Sequence, residues 1–206
     1  MAKIFTNSDH QLFKLIFVIV FSLLCCLTTF GQSNAFSEKP GANNKSDSNK
    51  ISNPEIERQR VVEKNKSDEK VAQLLAQLER QAFDILNQRR AEKGLPAIKW
   101  SEDMAKVARV HSLEMAQFNY FSHAGRDGKM VNDRADLLGF SNWQALGENI
   151  AFSRGYEKPA ELACEGWMKS PAHRDNILNT RWKEAGIGVA QAADGSFYFT
   201  EVFIMR

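Results

Sequence analysis

The sequence predicts an α+β fold in which helices come first and an antiparallel pair of strands comes last. Apolar residues recur at helical spacing over residues 71–86, and further helical segments follow. Near the C-terminus, residues 187–190 and 197–204 form strand-like runs, and the Asp194-Gly195 pair between them is typical of a hairpin turn. This order argues against a parallel doubly wound sheet, in which strands and helices alternate along the chain.

Each predicted helix carries a start or a stop signal. The first helix ends at Gly94 and Pro96. The second begins after Ser101, whose hydroxyl can accept hydrogen bonds from free backbone N–H groups. The others cover residues 130–138, residues 159–169 and a segment opening with Ser170-Pro171, where serine caps and proline suits the first helical position. Residues 146–152 contain a glycine and an asparagine, which predict an irregular backbone.

The N-terminal part of the chain predicts an export signal followed by a linker. Residues 15–30 are almost wholly apolar but are shorter than the ~20 residues of a membrane span. Small residues at Ser33-Asn34-Ala35 predict cleavage after Ala35, so residues 1–35 are interpreted as a signal peptide; the alternative is an uncleaved anchor. Residues 36–70 are rich in Ser, Asn, Lys and Glu, which predicts a disordered polar linker before a domain at 71–206. We therefore expect an extracellular or cell-envelope location, with membrane contact only through an uncleaved N-terminal segment.

Charge and cysteine content argue against a nucleic-acid-binding protein and against an enzyme with a cysteine nucleophile. The chain has 27 Lys and Arg against 25 Asp and Glu, a formal net charge of +2, which argues against a globally basic nucleic-acid binder. Cys25 and Cys26 lie in the apolar segment, so cleavage would leave only Cys164 and no internal disulfide. Cys164 falls in a helical pattern and is predicted to be a small buried apolar residue rather than a nucleophile.

Three histidines and one glutamate are the candidates for chemistry. His111 lies on or beside the apolar face of the second helix, and His123 follows just beyond that helix. His173 falls in the first turn of the Ser170-Pro171 helix, where the helix dipole favours a neutral imidazole. Together with Glu148, two imidazoles can form a three-ligand zinc site with room for water. The alternative is that His111 is a core histidine and His173 a surface one.

Five blocks of residues resemble the CAP superfamily, also called SCP domains, which joins cysteine-rich secretory proteins, antigen-five allergens and plant pathogenesis-related proteins. The blocks run in order and comprise Ala108-x-x-His111-Ser112-x-x-Met115-Ala116, Tyr120-Phe121-Ser122-His123, Gly147-Glu148-Asn149-Ile150-Ala151, Trp167-Met168-x-Ser170-Pro171-x-His173-Arg174-x-Asn176-Ile177-Leu178 and Gly186-Ile187-Gly188-Val189-Ala190. The resemblance implies a three-layer α-β-α sandwich with an antiparallel sheet and a cleft on one side.

The resemblance also implies a set of site residues. In that family two His and two Glu line the cleft and can hold a divalent metal. His111 matches the first histidine, Glu148 the glutamate of the Gly-Glu-Asn motif and His173 the second histidine, which implies Zn²⁺ or another divalent metal held by these three and water. The other glutamate follows a tryptophan by three positions, where this chain has Ser170. His123 is expected to be a cleft neighbour and not a ligand, because it lies beyond the helix end.

Two functions follow from the resemblance. The first is a secreted or envelope-associated binding module for a lipid-like or other small apolar ligand, or for an envelope or extracellular partner protein, since family members bind sterols, other lipids or proteins. The alternative is a metal-dependent hydrolase of peptides or envelope polymer, with Glu148 as general base or ligand and a metal that lowers the pKa of its bound water. The serine at position 170 favours binding over catalysis.

Overall fold

A mixed β-sheet lies between two layers of helices in the computed structural model, which describes residues 3–6 and 54–206. Its strands are β1 (Lys3–Thr6), β2 (Lys99–Trp100), β3 (Ala145–Ser153), β4 (Glu184–Gln191) and β5 (Phe197–Met205). Its helices are α1 (Pro54–Ala91), α2 (Glu102–Phe118), α3 (Val131–Leu137), α4 (Pro159–Lys169) and α5 (Pro171–Ile177). The strand order is β1-β3-β5-β4-β2, parallel between β2 and β4 and antiparallel elsewhere. The predicted α-β-α sandwich is therefore confirmed, while the sheet is mixed rather than wholly antiparallel, because β2 runs parallel to β4.

Helix α2 lies directly on one face of the sheet because β4 has glycine where the helix crosses it. A Cβ added at Gly186 would lie 2.1 Å from the backbone N of Ala105, and one at Gly188 would lie 2.1 Å from the backbone N of Arg109. The hydroxyl of Ser112 then donates a hydrogen bond to the Gly188 carbonyl at 2.9 Å. Only glycine permits so close an approach of helix to strand.

Helices α1 and α4 cover the opposite face of the sheet, where the largest apolar cluster lies. Trp167 of α4 is buried in that cluster, and its indole N–H donates to the Ile150 carbonyl at 2.9 Å. Cys164 is a buried free thiol, and burial raises its pKa, in agreement with the prediction that it is not a nucleophile.

The segment 146–152 is not irregular, as its glycine and asparagine predict, but lies within strand β3. Gly147 is required by packing, since a Cβ there would lie 2.9 Å from the Trp182 ring. Asn149 is buried, and its side chain is satisfied by hydrogen bonds. The glycine thus serves a close tertiary contact, and the asparagine a buried polar network, rather than a turn.

The capping predictions have different outcomes at two serines. Ser101 caps α2 as predicted, because its hydroxyl accepts from the Met104 N–H at 3.4 Å. Ser170 stands at the N-cap position of α5 with Pro171 next, but its side chain makes no capping hydrogen bond. The helix start is therefore as predicted, while the predicted hydroxyl cap is wrong.

The first helix begins earlier than the pattern of apolar residues predicts. Helix α1 starts at Pro54, with Glu55 and Glu57 in its first turn, so the predicted linker is helical from residue 54 to residue 70. Residues 55–74 are exposed, because this part of the helix extends beyond the sheet it later packs against. The rest of the predicted linker and signal lies outside the described residues, except that Lys3–Thr6 pair with β3 as β1. No helix among residues 54–206 is long and apolar enough to cross a membrane.

Candidate functional site

Glu148 is the centre of a buried charged cluster on the α2 side of the sheet. Its side chain is 1% exposed. One carboxylate oxygen, Oε1, lies 2.7 Å from Nδ1 of His123, and the other, Oε2, accepts a hydrogen bond from Nη2 of Arg134. Burial by itself raises the pKa of Glu148, but the hydrogen bond with His123 and the charge of Arg134 outweigh it and hold that pKa below its ordinary value. The carboxylate is therefore ionised at neutral pH and acts as an acceptor.

Arg134 completes this cluster, although the sequence analysis does not single it out. It belongs to α3, and its Nη1 donates to the backbone carbonyls of His123 at 3.1 Å and Lys129 at 3.0 Å. The signal for it was present in the sequence, because Val131, Arg134 and Ala135 share one side of a short helix and all three are buried. A charged residue on an apolar helix face indicates a buried partner.

His111 is buried close to this cluster but does not contact Glu148 by a hydrogen bond. Its Nε2 donates to the Ser122 carbonyl at 2.8 Å, and its Nδ1 lies 4.0 Å from Oε2 of Glu114. Burial lowers the pKa of His111 to about 4, so the ring is neutral at pH 7. The imidazole thus holds the loop that carries His123, and it is His123 that bonds to Glu148.

Ser170 is the N-cap residue of α5, and His173 lies in the first turn of that helix. Both ring nitrogens of His173 are buried and have no hydrogen-bond partner among the described residues. Burial lowers the pKa of His173 to about 4, which agrees with the predicted neutral imidazole. Because an unpartnered buried polar atom is costly, these nitrogens suit a ligand that can hydrogen-bond.

Asn149 holds the backbone of His173 in place. Its Nδ2 donates to the His173 carbonyl at 3.3 Å and to Oε2 of Glu201 at 2.9 Å, and its Oδ1 accepts from Asn176 at 3.1 Å. Glu201 is fully buried, which raises its pKa to about 8. Neither residue was singled out as functional from the sequence, since their partners lie 24 and 52 positions apart along the chain.

A groove of about 490 Å³ runs between β3 and α4, and Ser170 and His173 at the start of α5 also line it. Its walls are largely apolar, and the apolar and aromatic residues that form them are Ile150, Ala151, Phe152, Tyr156, Leu162, Ala163, Gly166 and Trp167. The polar and charged residues that line it are Ser153, Arg154, Ser170 and His173. Ser153 contributes a second buried polar atom, because its Oγ has no hydrogen-bond partner among the described residues. This combination of an apolar channel and a few polar atoms is typical of a small-molecule site.

The predicted metal centre of His111, Glu148 and His173 does not fit this geometry. Both oxygens of Glu148 are engaged by His123 and Arg134, and Nε2 of His111 is engaged by a backbone carbonyl. Within residues 3–6 and 54–206, no group of three or more His, Cys, Asp or Glu side chains is arranged to hold a metal. The structure brings Glu148 together with His123, which the sequence analysis placed outside the ligand set.

Comparisons with known proteins support the resemblance found in the motifs. Residues 83–203 match the family model described as CAP, the cysteine-rich secretory protein family. Two Bacillus subtilis relatives are the "Uncharacterized membrane protein YlbC", 36% identical over 68% of this chain and 38% of the relative, and the "Uncharacterized protein YkwD", 31% identical over 70% of this chain and 53% of the relative. The chain therefore spans only about a third to a half of these relatives.

A solved structure from Bacillus anthracis is also similar. It is an extracellular protein containing a SCP domain, with 32% identity and a TM-score of 0.59, and the match covers 67% of this chain and 43% of that one. The matched part thus accounts for less than half of that protein.

Proposed function

Because this chain belongs to the CAP family of cysteine-rich secretory proteins, we propose that it is an exported binding module whose ligand site is the groove between β3 and α4. The ligand we infer is a small molecule with an apolar body and a hydrogen-bonding head. An export signal is predicted at residues 1–35, and an extracellular SCP-domain protein is among the similar structures, both of which support a location outside the cytoplasm.

The observation that carries this proposal is that His173, which lines an apolar groove, has two buried ring nitrogens without a hydrogen-bond partner among the described residues. An unsatisfied buried polar atom costs about 1–3 kcal/mol, so a ligand atom that bonds to it recovers that cost on binding. A neutral imidazole offers one donor and one acceptor, which suits a carboxylic acid, a hydroxyl or an amide. The apolar walls contributed by Ala151, Leu162 and Trp167 would cover a hydrocarbon body.

The alternative of a metal-dependent hydrolase has less support. In that mechanism Glu148 must serve as a general base or a metal ligand. Here its carboxylate is 1% exposed, each of its oxygens is engaged by His123 or Arg134, and its pKa is lowered, so it is a weak base. The groove with His173 is therefore the better candidate for function.

The test uses cis-parinaric acid, a fluorescent fatty acid with an apolar body and one carboxyl head. Gly166→Phe should block the groove, since Gly166 lines it and a Cβ added there meets nothing within 4 Å. We expect affinity to fall by about tenfold or more, which corresponds to about 1.4 kcal/mol. The matched control is Glu165→Phe, which adds the same ring at the exposed neighbouring position on α4 and should leave affinity within about twofold.

A second variant tests the polar end of the site. His173→Leu keeps the apolar character and removes the ring nitrogens, so the affinity for the acid should fall while that for its methyl ester changes less. Equal affinities of wild type, Gly166→Phe and Glu165→Phe would refute the groove as the ligand site. Equal effects of His173→Leu on acid and ester would refute the role of the imidazole as head-group partner.

A further inference from the structure

We propose that Arg134 is the permanent counter-ion of Glu148, in the place that the family resemblance gives to a divalent metal, and that it fixes His123 with Nε2 as a hydrogen-bond acceptor. This inference concerns the charged cluster on the α2 side of the sheet. It does not depend on whether the groove binds a ligand.

The first step is that a carboxylate as buried as Glu148 needs a compensating cation. Its side chain is 1% exposed, and that of Arg134 is 6% exposed. Isolated charges are strongly disfavoured in a protein interior, so buried charges are paired or bound to metal. Arginine cannot lose its proton in a protein, and a guanidinium therefore supplies this positive charge at every pH at which the domain is folded.

The second step is that Arg134 is held in place by more than Glu148. Its other terminal nitrogen, Nη1, donates to the carbonyls of His123 and Lys129 at 3.1 and 3.0 Å. A metal that displaced the guanidinium from Glu148 would leave a buried cation without its counter-ion if Arg134 stayed, or two carbonyls without their donor if Arg134 moved away. The geometry thus favours the guanidinium over a divalent ion at Glu148.

The third step concerns the tautomer of His123. An ionised carboxylate only accepts hydrogen bonds, so the Nδ1 that lies 2.7 Å from Oε1 of Glu148 carries the proton. In a neutral ring the other nitrogen, Nε2, is then the acceptor. That Nε2 is buried and has no hydrogen-bond partner among the described residues. The same carboxylate–imidazole arrangement orients histidines in metal sites and catalytic triads, and here Arg134 takes part by holding the carboxylate.

The wild-type protein provides the first test. Full-length chain with ¹⁵N-labelled histidine is examined by long-range ¹H–¹⁵N correlation with and without one equivalent of ZnCl₂, and zinc binding is measured by equilibrium dialysis. We expect His123 as the Nδ1–H tautomer, unchanged by zinc, and equal zinc binding by wild type and Glu148→Gln. Zinc that shifts His123 and binds at one equivalent in wild type but not in Glu148→Gln would overturn the proposal.

The second test removes the guanidinium. Arg134→Gln should convert His123 into a mixture of tautomers and raise zinc affinity at least tenfold, because Glu148 then lacks its cation. The matched control is Arg109→Gln. It breaks a different ion pair, 2.7 Å long, between Arg109 of α2 and the buried Glu79 of α1. It should leave both the tautomer and the zinc affinity unchanged.

A third variant separates positive charge from folding. Arg134→Lys keeps a cation, so it should retain the tautomer and gain no zinc affinity, and it can be studied if Arg134→Gln fails to fold. A lysine variant that binds zinc through Glu148, or a glutamine variant with the tautomer and zinc affinity of wild type, would show that Arg134 is not the counter-ion that orders this cluster.

Discussion

Replacing Gly188 by alanine tests whether helix α2 rests directly on strand β4. The added Cβ would lie 2.1 Å from the backbone N of Arg109, and ordinary van der Waals contact begins at 3.4 Å, so helix and strand must separate by about 1.3 Å. Overpacking costs about 1–3 kcal/mol and sometimes more, and a backbone atom cannot move aside as a side chain does. Separation also weakens the hydrogen bond from Ser112 to the Gly188 carbonyl, which adds about 1 kcal/mol.

We therefore expect Gly188→Ala to lower the free energy of unfolding by about 2–4 kcal/mol. For a domain of this size that corresponds to a fall in Tm of roughly 4–16 °C. The assay is urea denaturation monitored by tryptophan fluorescence, with Gly166→Ala as the matched control. A Cβ at Gly166 meets nothing within 4 Å and the residue lies inside α4, so alanine there should stabilise by about 0.5–1 kcal/mol. Equal denaturation midpoints for Gly188→Ala and wild type would refute the close contact.

Two further predictions concern the core and the pH dependence of stability. Trp167→Ala should cost about 3–5 kcal/mol in urea denaturation, because it empties a site that is 1% exposed and breaks the hydrogen bond to Ile150; an unchanged midpoint would contradict this. Burial lowers the pKa of His111 and His173 from 6.5 to about 4 and raises that of Glu201 from 4.5 to about 8. Below pH 6.5 the unfolded chain binds more protons than the folded chain at His111 and His173, whereas up to pH 8 the folded chain binds more protons than the unfolded chain at Glu201. Two histidines outweigh one carboxyl below pH 6.5, so the free energy of unfolding should rise to about pH 6.5 and then fall. Glu201→Gln should abolish the fall above pH 6.5, and a wild-type profile that keeps rising to pH 8 would contradict the assignment.

The helices of the domain core could be predicted because their signals are local. Ser101 and Pro159 mark helix starts that the structure confirms, since a cap or a fixed φ acts within one turn. The start of α1 differs from the prediction for the opposite reason. Residues 54–70 carry no apolar stripe, and their helix rests on residue propensity and continuity with the packed part rather than on burial.

The charged cluster could be predicted only in part because its contacts are made in three dimensions. His111 lies in the second helix and is buried as its apolar face predicts, yet its ring bonds to the backbone of Ser122. That bond turns the following loop inward and brings His123 to Glu148, which no spacing rule along the sequence contains. Arg134 reaches the same carboxylate from a separate helix, 14 positions earlier in the chain.

Adjacent residues of β3 serve the two sides of the sheet, and this explains why a strand with a Gly-Glu-Asn sequence at its centre is stable. Successive side chains of a strand point to opposite faces, so Glu148 meets Arg134 on one side while Asn149 meets Glu201 on the other. A shift of one residue would exchange these faces and place the carboxylate beside the buried carboxyl of Glu201. The register of β3 is therefore fixed by charge as well as by apolar alternation, and both the His123 cluster and the groove with His173 depend on that register.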